Sequence, residues 1–172
     1  MAKKYRILKD DAIEFYGHTL YRIKALKDVG YYKQGTLGGY IESESNLSQG
    51  DDTAWVADNA KVYGGAYLGN NAIACGNAIV KGIVIECDVL VCGESIFVGD
   101  GDKEYELKGF AVICDNACLK LKTTEYAFGG GSVVGGDAVM IIDNDNIVSV
   151  GSGEFQREKF IETNLVDIKI KD

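Results

Sequence analysis

One histidine, His18, carries all the imidazole chemistry open to this 172-residue chain. A histidine base must come within hydrogen-bond reach of the proton it removes. His18 stands in Tyr16-Gly17-His18, between two alternating apolar segments, and reads as a turn residue rather than a base. No other catalytic residue suggests itself. The carboxylate pairs Asp51-Asp52 and Glu104/Glu106 lie in polar stretches and read as solvated. Asp143-Asn144-Asp145-Asn146 with Glu154 has the outline of a calcium loop, but Ile147 and Val148 stand where a ligand and the turning glycine belong. A polar β-turn is the reading, and no metal is expected. GGGSVVGG, residues 129–136, is not followed by Lys-Ser or Lys-Thr and is no phosphate loop but a corner or linker.

Cys75, Cys87, Cys92, Cys114 and Cys118 are an odd set in a chain whose start, MAKKYRILKDD, has no apolar signal stretch. They read as reduced thiols, small residues of the core. Their C-x4-C and C-x3-C spacings, with no histidine nearby, do not suit zinc. No apolar run reaches the roughly 20 residues that cross a bilayer, so no membrane partner and a cytoplasmic location are expected. Eighteen basic against 26 acidic residues give a net charge of −8. That balance argues against a binder of duplex nucleic acid, which relies on phosphate neutralisation.

The elements that must position any site are announced by a repeat. From Ala54 the sequence runs AWVADN, AKVYGG, AYLGNN, AIACGN, AIVKGI, with Ala at 54, 60, 66, 72 and 78. Val56, Val62, Leu68, Ala74 and Val80 follow two places on, and Asp58, Gly64, Asn70, Gly76 and Gly82 fill the fifth place. Self-similarity at six residues points to a β-helix, a solenoid of short strands. Side chains alternate along a strand, so Ala and the aliphatic two places on face inward, with the residue between them outward. One inward site is small because three walls converge. Gly, Asn and Asp suit corners that need positive φ.

After Gly82 two registers compete. One keeps the period and places Glu86 inside; the other slips by one residue and places Ile83/Ile85 and Val89/Val91 inside, with Ser95/Phe97 as an awkward pair. A bulge over 83–87 would accommodate the change. In either register IVIECDVLVC is apolar on both faces, so its outside must be covered. Residues 99–108 break the period as an exposed excursion, and the repeat returns at Ala111, Ala117 and Ala138.

The chain therefore divides into a β-hairpin cap and entry segment (1–53), coils (54–150) and a tail (151–172). In the tail, SGEFQREKFIET suits a short helix capped by Ser152, and LVDIKIKD alternates like a strand. A cap is expected because an uncovered first coil exposes open strand edges.

The segment HTLYRIKALKDVGYYKQGTLGGYIESESNLSQGDDTAWVADNAKVYGGA resembles the entry segment of YdcK-like left-handed β-helix proteins of bacteria and prophages. The GHTLYRI hairpin, the LGGYIESESNLS passage, the tryptophan of the first coil and the N-A-x-V blocks carry the likeness, over about residues 13–82. It implies an all-β, left-handed parallel β-helix, a hexapeptide-repeat solenoid with a β-hairpin cap and a short C-terminal appendage. Such proteins often bear transferase labels, and they resemble trimeric acyltransferases that bind an acyl donor between subunits.

With the coil of about 18 residues that the resemblance implies, Trp55 stacks over Ile73, Lys61 over Ile79 and Tyr63 over Lys81. The outward residues Trp55, Lys61, Tyr67, Ile73, Ile79 and, in the unslipped count, Ile85 are more apolar than a monomeric solenoid needs. Homotrimerisation is the expectation, against a cap or tail folding back over them. Tyr63, Tyr67, Lys61 and Lys81 then form a candidate ligand site, aromatic and cationic, for a small anionic or nucleotide-like molecule. The expected function is binding without catalysis and without a cofactor, of such a ligand or of a protein partner. In a phage-encoded protein acting in the host cytoplasm, one version is sequestration of a defence signal nucleotide. The alternatives are an acetyl-coenzyme-A-dependent acyltransferase with His18 as base, and a structural module of a phage or envelope assembly.

Overall fold

The computed structural model describes residues 2–86, 88–99, 106–108, 110–121, 125–127, 132–134, 138–143, 146–152 and 154–165, with side chains for 2–86, 88–99, 112–120 and 157–165. Strands β1 (Tyr5–Phe15) and β2 (His18–Ala25) form an antiparallel hairpin turned by Tyr16 and Gly17, with φ of 45° and 84°. Strand β3 (Leu37–Ile41) runs antiparallel to β2 on one edge and parallel to the first coil on the other. It is the piece that joins hairpin to solenoid, and the junction is tight. A Cβ on Gly38 would stand 2.5 Å from Ile23 Cγ1, and one on Gly39 would stand 2.5 Å from the Ala60 carbonyl. The LGG passage is thus demanded by close backbone approach.

Beyond a 3₁₀ turn at Glu44–Asn46 the coils begin. Their strands are β4 (Trp55–Val56), β5 (Lys61–Tyr63), β6 (Tyr67–Leu68), β7 (Ile73–Ala74), β8 (Ile79–Lys81) and β9 (Val84–Ile85). There follow β10 (Asp88–Val91), β11 (Ile96–Val98), β12 (Glu106–Lys108), β13 (Phe110–Ile113) and β14 (Cys118–Leu121). The last are β15 (Glu125–Ala127), β16 (Ser132–Val134) and β17 (Ala138–Asp143). Every third strand joins the same sheet. One sheet runs β1-β2-β3-β5-β8-β11-β14-β17-β18, a second β16-β13-β10-β7-β4, and the third wall is made by the pairs β6-β9 and β12-β15. The protein is a parallel β-solenoid of about four turns. Strand β18 (Asn146–Ser152) turns back antiparallel on β17 with Asp143 opposite Asn146, and α1 (Glu154–Asn164) follows. Of the expected calcium-like loop, Asp143 ends β17 and Asn146 begins β18, while residues 144 and 145 lie outside the described residues. The tail strand expected over 165–172 lies outside the described residues from 166 on.

The inward alanines are the narrowest part of the core. Ala54, Ala60, Ala66, Ala72 and Ala78 are all buried, as are Val56, Val62, Leu68, Ala74 and Val80. At the corners Asp58, Asn70 and Asp115 adopt φ of 52°, 54° and 57°. Polar side chains tie rung to rung: Thr53 Oγ1 donates to Asn71 Oδ1 at 2.7 Å, and Asn71 Nδ2 to Asp88 Oδ1 at 2.7 Å.

The two competing registers resolve in favour of the slip. Ile83, Ile85, Val89, Val91, Ser95 and Phe97 are all buried, and Glu86 is exposed. The cause is a shortened corner rather than a bulge. The two-residue corner Gly64-Gly65 is matched one coil later by Gly82 alone, so Ile83 takes the inward place of Ala66 and Tyr67 pairs with Val84. Spacing falls from 18 residues (Lys61 to Ile79) to 17 (Ile79 to Ile96), then widens to 22 (Ile96 to Cys118) across the expected excursion. Ser95 is tolerated inside because its hydroxyl donates to Cys92 O at 2.6 Å.

The outward residues are largely covered by the chain itself. Trp55 is fully buried, with Tyr5 edge-on at 6.4 Å and Tyr32 at 5.7 Å. Ile79 packs against both the cap cluster of Leu20, Tyr40 and Tyr63 and the helix cluster of Ile96, Val98, Phe160 and Leu165. For these positions, the expectation of outward residues open to a partner is corrected: the hairpin and α1 cover them. Ile85, with the slip, faces inward. Cys118 is buried under α1, whereas Cys75, Cys92 and Cys114 are half-buried at a corner, with Cys75 packed against the core. No helix among the described residues is long and apolar enough to cross a membrane.

Candidate functional site

Register places two outward columns on the main sheet. One runs Tyr40, Lys61, Ile79, Ile96, Cys118; the next runs Tyr63, Lys81, Val98, Lys120. In the second column small or aliphatic Val98 separates two lysines that lie on either side of it. Both reach the same residue at the C-terminal end of α1: Lys81 Nζ donates to Asn164 O at 3.2 Å and Lys120 Nζ to Asn164 Oδ1 at 2.8 Å. A helix C-terminus presents carbonyl oxygens and the negative end of the macrodipole, which suits cations.

Beside these lysines is a recess of about 230 Å³ lined by Gly64, Lys81, Gly82, Val98, Gly99, Lys120, Thr163 and Asn164. Three of its walls are glycine, so backbone stands where side chains would otherwise fill the space. Chemically it offers two ammonium groups, a hydroxyl and an amide around an open floor, a set suited to an anion.

Tyr63 meets Lys81 as the stacking predicts, with Nζ 5.7 Å from the ring centroid. It is not a surface for a ligand ring, however. Tyr63 is fully buried, with Phe15 edge-on at 5.7 Å and His18 at 4.8 Å. The hairpin occupies the ring face, so the expected contact between Tyr63 and a ligand is corrected to a supporting one. Lys61 lies apart from the recess. Its Nζ donates to Asn59 O at 2.9 Å and sits 5.1 Å from the Phe15 ring, and burial lowers its pKa. Tyr67 belongs to β6, on a different wall. The four expected residues are therefore not one cluster: Tyr63 and Lys81 meet, Lys61 and Tyr67 stand elsewhere.

His18 is held rather than loose. Its Nδ1 lies 2.8 Å from Glu42 Oε1, while Glu42 Oε2 accepts from the Gly64 amide at 2.9 Å. Glu42 thus links the hairpin turn to a glycine of the recess. His18 lines neither this recess nor a second, of about 420 Å³, formed by Val29, Gly30, Tyr31, Tyr32, Thr53 and Ile73. Among the described residues no group of three His, Cys, Asp or Glu side chains is placed to hold a metal ion.

Sequence reasoning missed Lys120, Gly99, Thr163, Asn164 and Glu42. Lys120 follows Val98 by 22 residues, across an excursion that erases the period, and no repeat arithmetic reaches it. Asn164 comes from a helix whose docking no local pattern announces. No protein-family pattern and no curated protein matches the chain. The fold and the recess therefore define a class only: a parallel β-solenoid carrying a cationic, glycine-walled recess between its main sheet and a C-terminal helix.

Proposed function

We propose that the protein is a left-handed, hexapeptide-repeat β-helix of the YdcK-like kind that binds a small anionic ligand without transforming it. The observation that carries this reading is the placement of Lys81 and Lys120 on one recess with Gly64, Gly82 and Gly99. A phosphate-bearing, nucleotide-like molecule fits that chemistry, with its phosphate between the lysines. At about 230 Å³ the recess is smaller than the roughly 300–1,000 Å³ usual for whole ligands. The remainder of the ligand would extend toward a neighbouring subunit. Self-association as a trimer is supported by the largely apolar second recess, where half-buried Ile73 lies beside Tyr31, 97% exposed. In a phage setting such binding would sequester a signal nucleotide of the host.

One observation favours a second reading, an acyltransferase. A carboxylate 2.8 Å from an imidazole nitrogen is how a base is oriented, and Glu42 holds His18 in that way. Calorimetry against cyclic nucleotides, nucleotide-ribose compounds and acetyl-coenzyme A separates the two. The binding reading expects saturable nucleotide binding without turnover, weakened at least tenfold by Lys81→Glu. Acetyl transfer abolished by His18→Asn would establish the enzyme instead. Silence from the whole panel would leave the scaffold.

A further inference from the structure

One corner of the solenoid stacks thiols. Hydrogen bonds between coils fix the register: Cys75 N donates to Val91 O at 2.9 Å and Asn77 N to Gly93 O at 2.8 Å, so Cys75 lies over Cys92. Cys92 N donates to Ile113 O at 2.8 Å and Glu94 N to Asp115 O at 2.7 Å, so Cys92 lies over Cys114. The same corner reads Ala57-Asp58-Asn59-Ala60, Cys75-Gly76-Asn77-Ala78, Cys92-Gly93-Glu94-Ser95 and Cys114-Asp115-Asn116-Ala117 in successive coils. All three cysteines are half-buried, open on one side to a small reagent.

We propose that Cys75 and Cys92 are a reversible disulfide site that staples two successive coils. Paired strands lie about 4.8 Å apart, within the Cα separations of about 4.4–6.8 Å that disulfides span. The two rungs approach closely here because Gly76 and Gly93 leave no side chain between them; a Cβ on Gly76 would stand 3.0 Å from the Gly93 backbone. Of the two neighbours open to Cys92, Cys75 is the partner. Cys75 and Cys92 sit on directly stacked rungs, and each thiol influences the ionisation of the other. Cys114 instead directs its thiol at the Asp115 carboxylate, at 3.7 Å.

The oxidant is a small-molecule disulfide such as oxidised glutathione. The Cys92 thiolate attacks one of its sulfurs; the reagent's S–S bond breaks and one glutathione leaves as a thiol. The Cys75 thiolate then attacks the Cys92 sulfur of the mixed disulfide and releases the second glutathione. Two protein thiols are oxidised and one glutathione disulfide is reduced to two thiols. Burial raises the pKa of Cys75 to about 11 and also raises that of Cys92. Only the thiolate reacts, so the reaction is slow at neutral pH and speeds up by ~10-fold per pH unit below those values.

The test treats the folded, full-length protein with oxidised glutathione at pH 8, blocks residual thiols and maps tryptic peptides by mass spectrometry. The expected product links the peptide 62–81, which holds Cys75, to the peptide 82–103, which holds Cys87 and Cys92. It should survive Cys87→Ser and Cys114→Ser, vanish in Cys92→Ser, reverse with dithiothreitol and raise the thermal midpoint. Stable glutathione adducts on Cys75 or Cys92 without the link, preferential linkage to Cys114, or no reaction while the urea-unfolded chain reacts would each overturn the proposal.

Discussion

The solenoid is covered twice, by different means. Over its first coil the hairpin seals Trp55 and Tyr63 with aromatic side chains and pins itself with an ion pair. Further along, α1 lays Phe160 and Leu165 over Ile96, Val98 and Cys118 and clasps a corner through Arg157, which donates to Asn116 O at 2.6 Å and to Glu94 O. The cap buries Trp55 and Tyr63 completely. The helix ends at Asn164 and leaves a gap beside Lys81 and Lys120. The recess is therefore a seam between two covers, and a solenoid acquires a site where its lids fail to meet.

The largest effect should come from unpinning the cap. Lys4 is fully buried, donating to Asp52 Oδ1 at 2.7 Å and Ala54 O at 3.1 Å. Burial lowers its pKa and the Asp52 carboxylate opposes that shift. Stripping one partner from a buried pair costs about 3–5 kcal/mol, because the other charge is left uncompensated. Asp52→Ala should cost that much in chemical denaturation, and Lys4→Met with Asp52→Ala should recover a large part of it. An additive double variant would show that the pair does not hold the cap.

Phe160→Ala should cost ~3 kcal/mol at the helix-covered end, the lower end for deleting a buried phenylalanine ring. Trp55 is the only tryptophan, so its fluorescence reports the hairpin end alone. The two covers are independent if this variant loosens α1, seen as loss of helical circular dichroism, while the native tryptophan emission persists. Coincident loss of both signals at low denaturant would merge the two regions into one unit.

Titration should separate the ends with smaller effects. Burial works against the Asp52 carboxylate, but bonds from Lys4 and Ser48 hold its pKa below the ordinary 3.8. A lowered acid contributes stability above its unfolded pKa and loses it as pH falls through the folded value. The cap should loosen in acid below about pH 3.8. At the thiol corner, burial raises the pKa of Cys75 to about 11 from 9.0, so that contribution is present below pH 9 and is lost as pH rises toward 11. Tryptophan emission followed through the acid range checks the first sign, and chemical denaturation repeated as pH rises from 9 toward 11, beside the same series for Cys75→Ala, checks the second.

The smallest effect on the fold should come from Ile73→Asp, about 1 kcal/mol, the ordinary cost of a substitution at a half-buried position. The same change should lower the subunit number in sedimentation. Ile79→Asp is a poorer probe, since Ile79 already packs between the two covers.

The solenoid was legible because its rule is local: small Ala54, Ala60, Ala66, Ala72 and Ala78 inside, with left-handed backbone at Asp58 and Asn70 on the corners. The slip after Gly82 was not, because IVIECDVLVC is apolar on both faces and alternation cannot then choose between registers one residue apart. Trp55 looked outward by alternation and is outward, yet what covers it comes from residues 5 and 32, and no pattern near position 55 shows them. Half of the site was readable for the same reason. The Tyr63–Lys81 pair follows from an 18-residue coil, whereas Lys120 and Asn164 arrive through an excursion and a helix.

Native mass spectrometry of the protein purified from cells, beside the Lys81→Glu/Lys120→Glu double variant, tests the central claim most directly. The account predicts three-subunit ions that carry a small bound mass in the unmutated protein and lose it in the double variant without losing the fold. Bare ions from both proteins, which then also stay silent in calorimetry against the nucleotide panel, would contradict it.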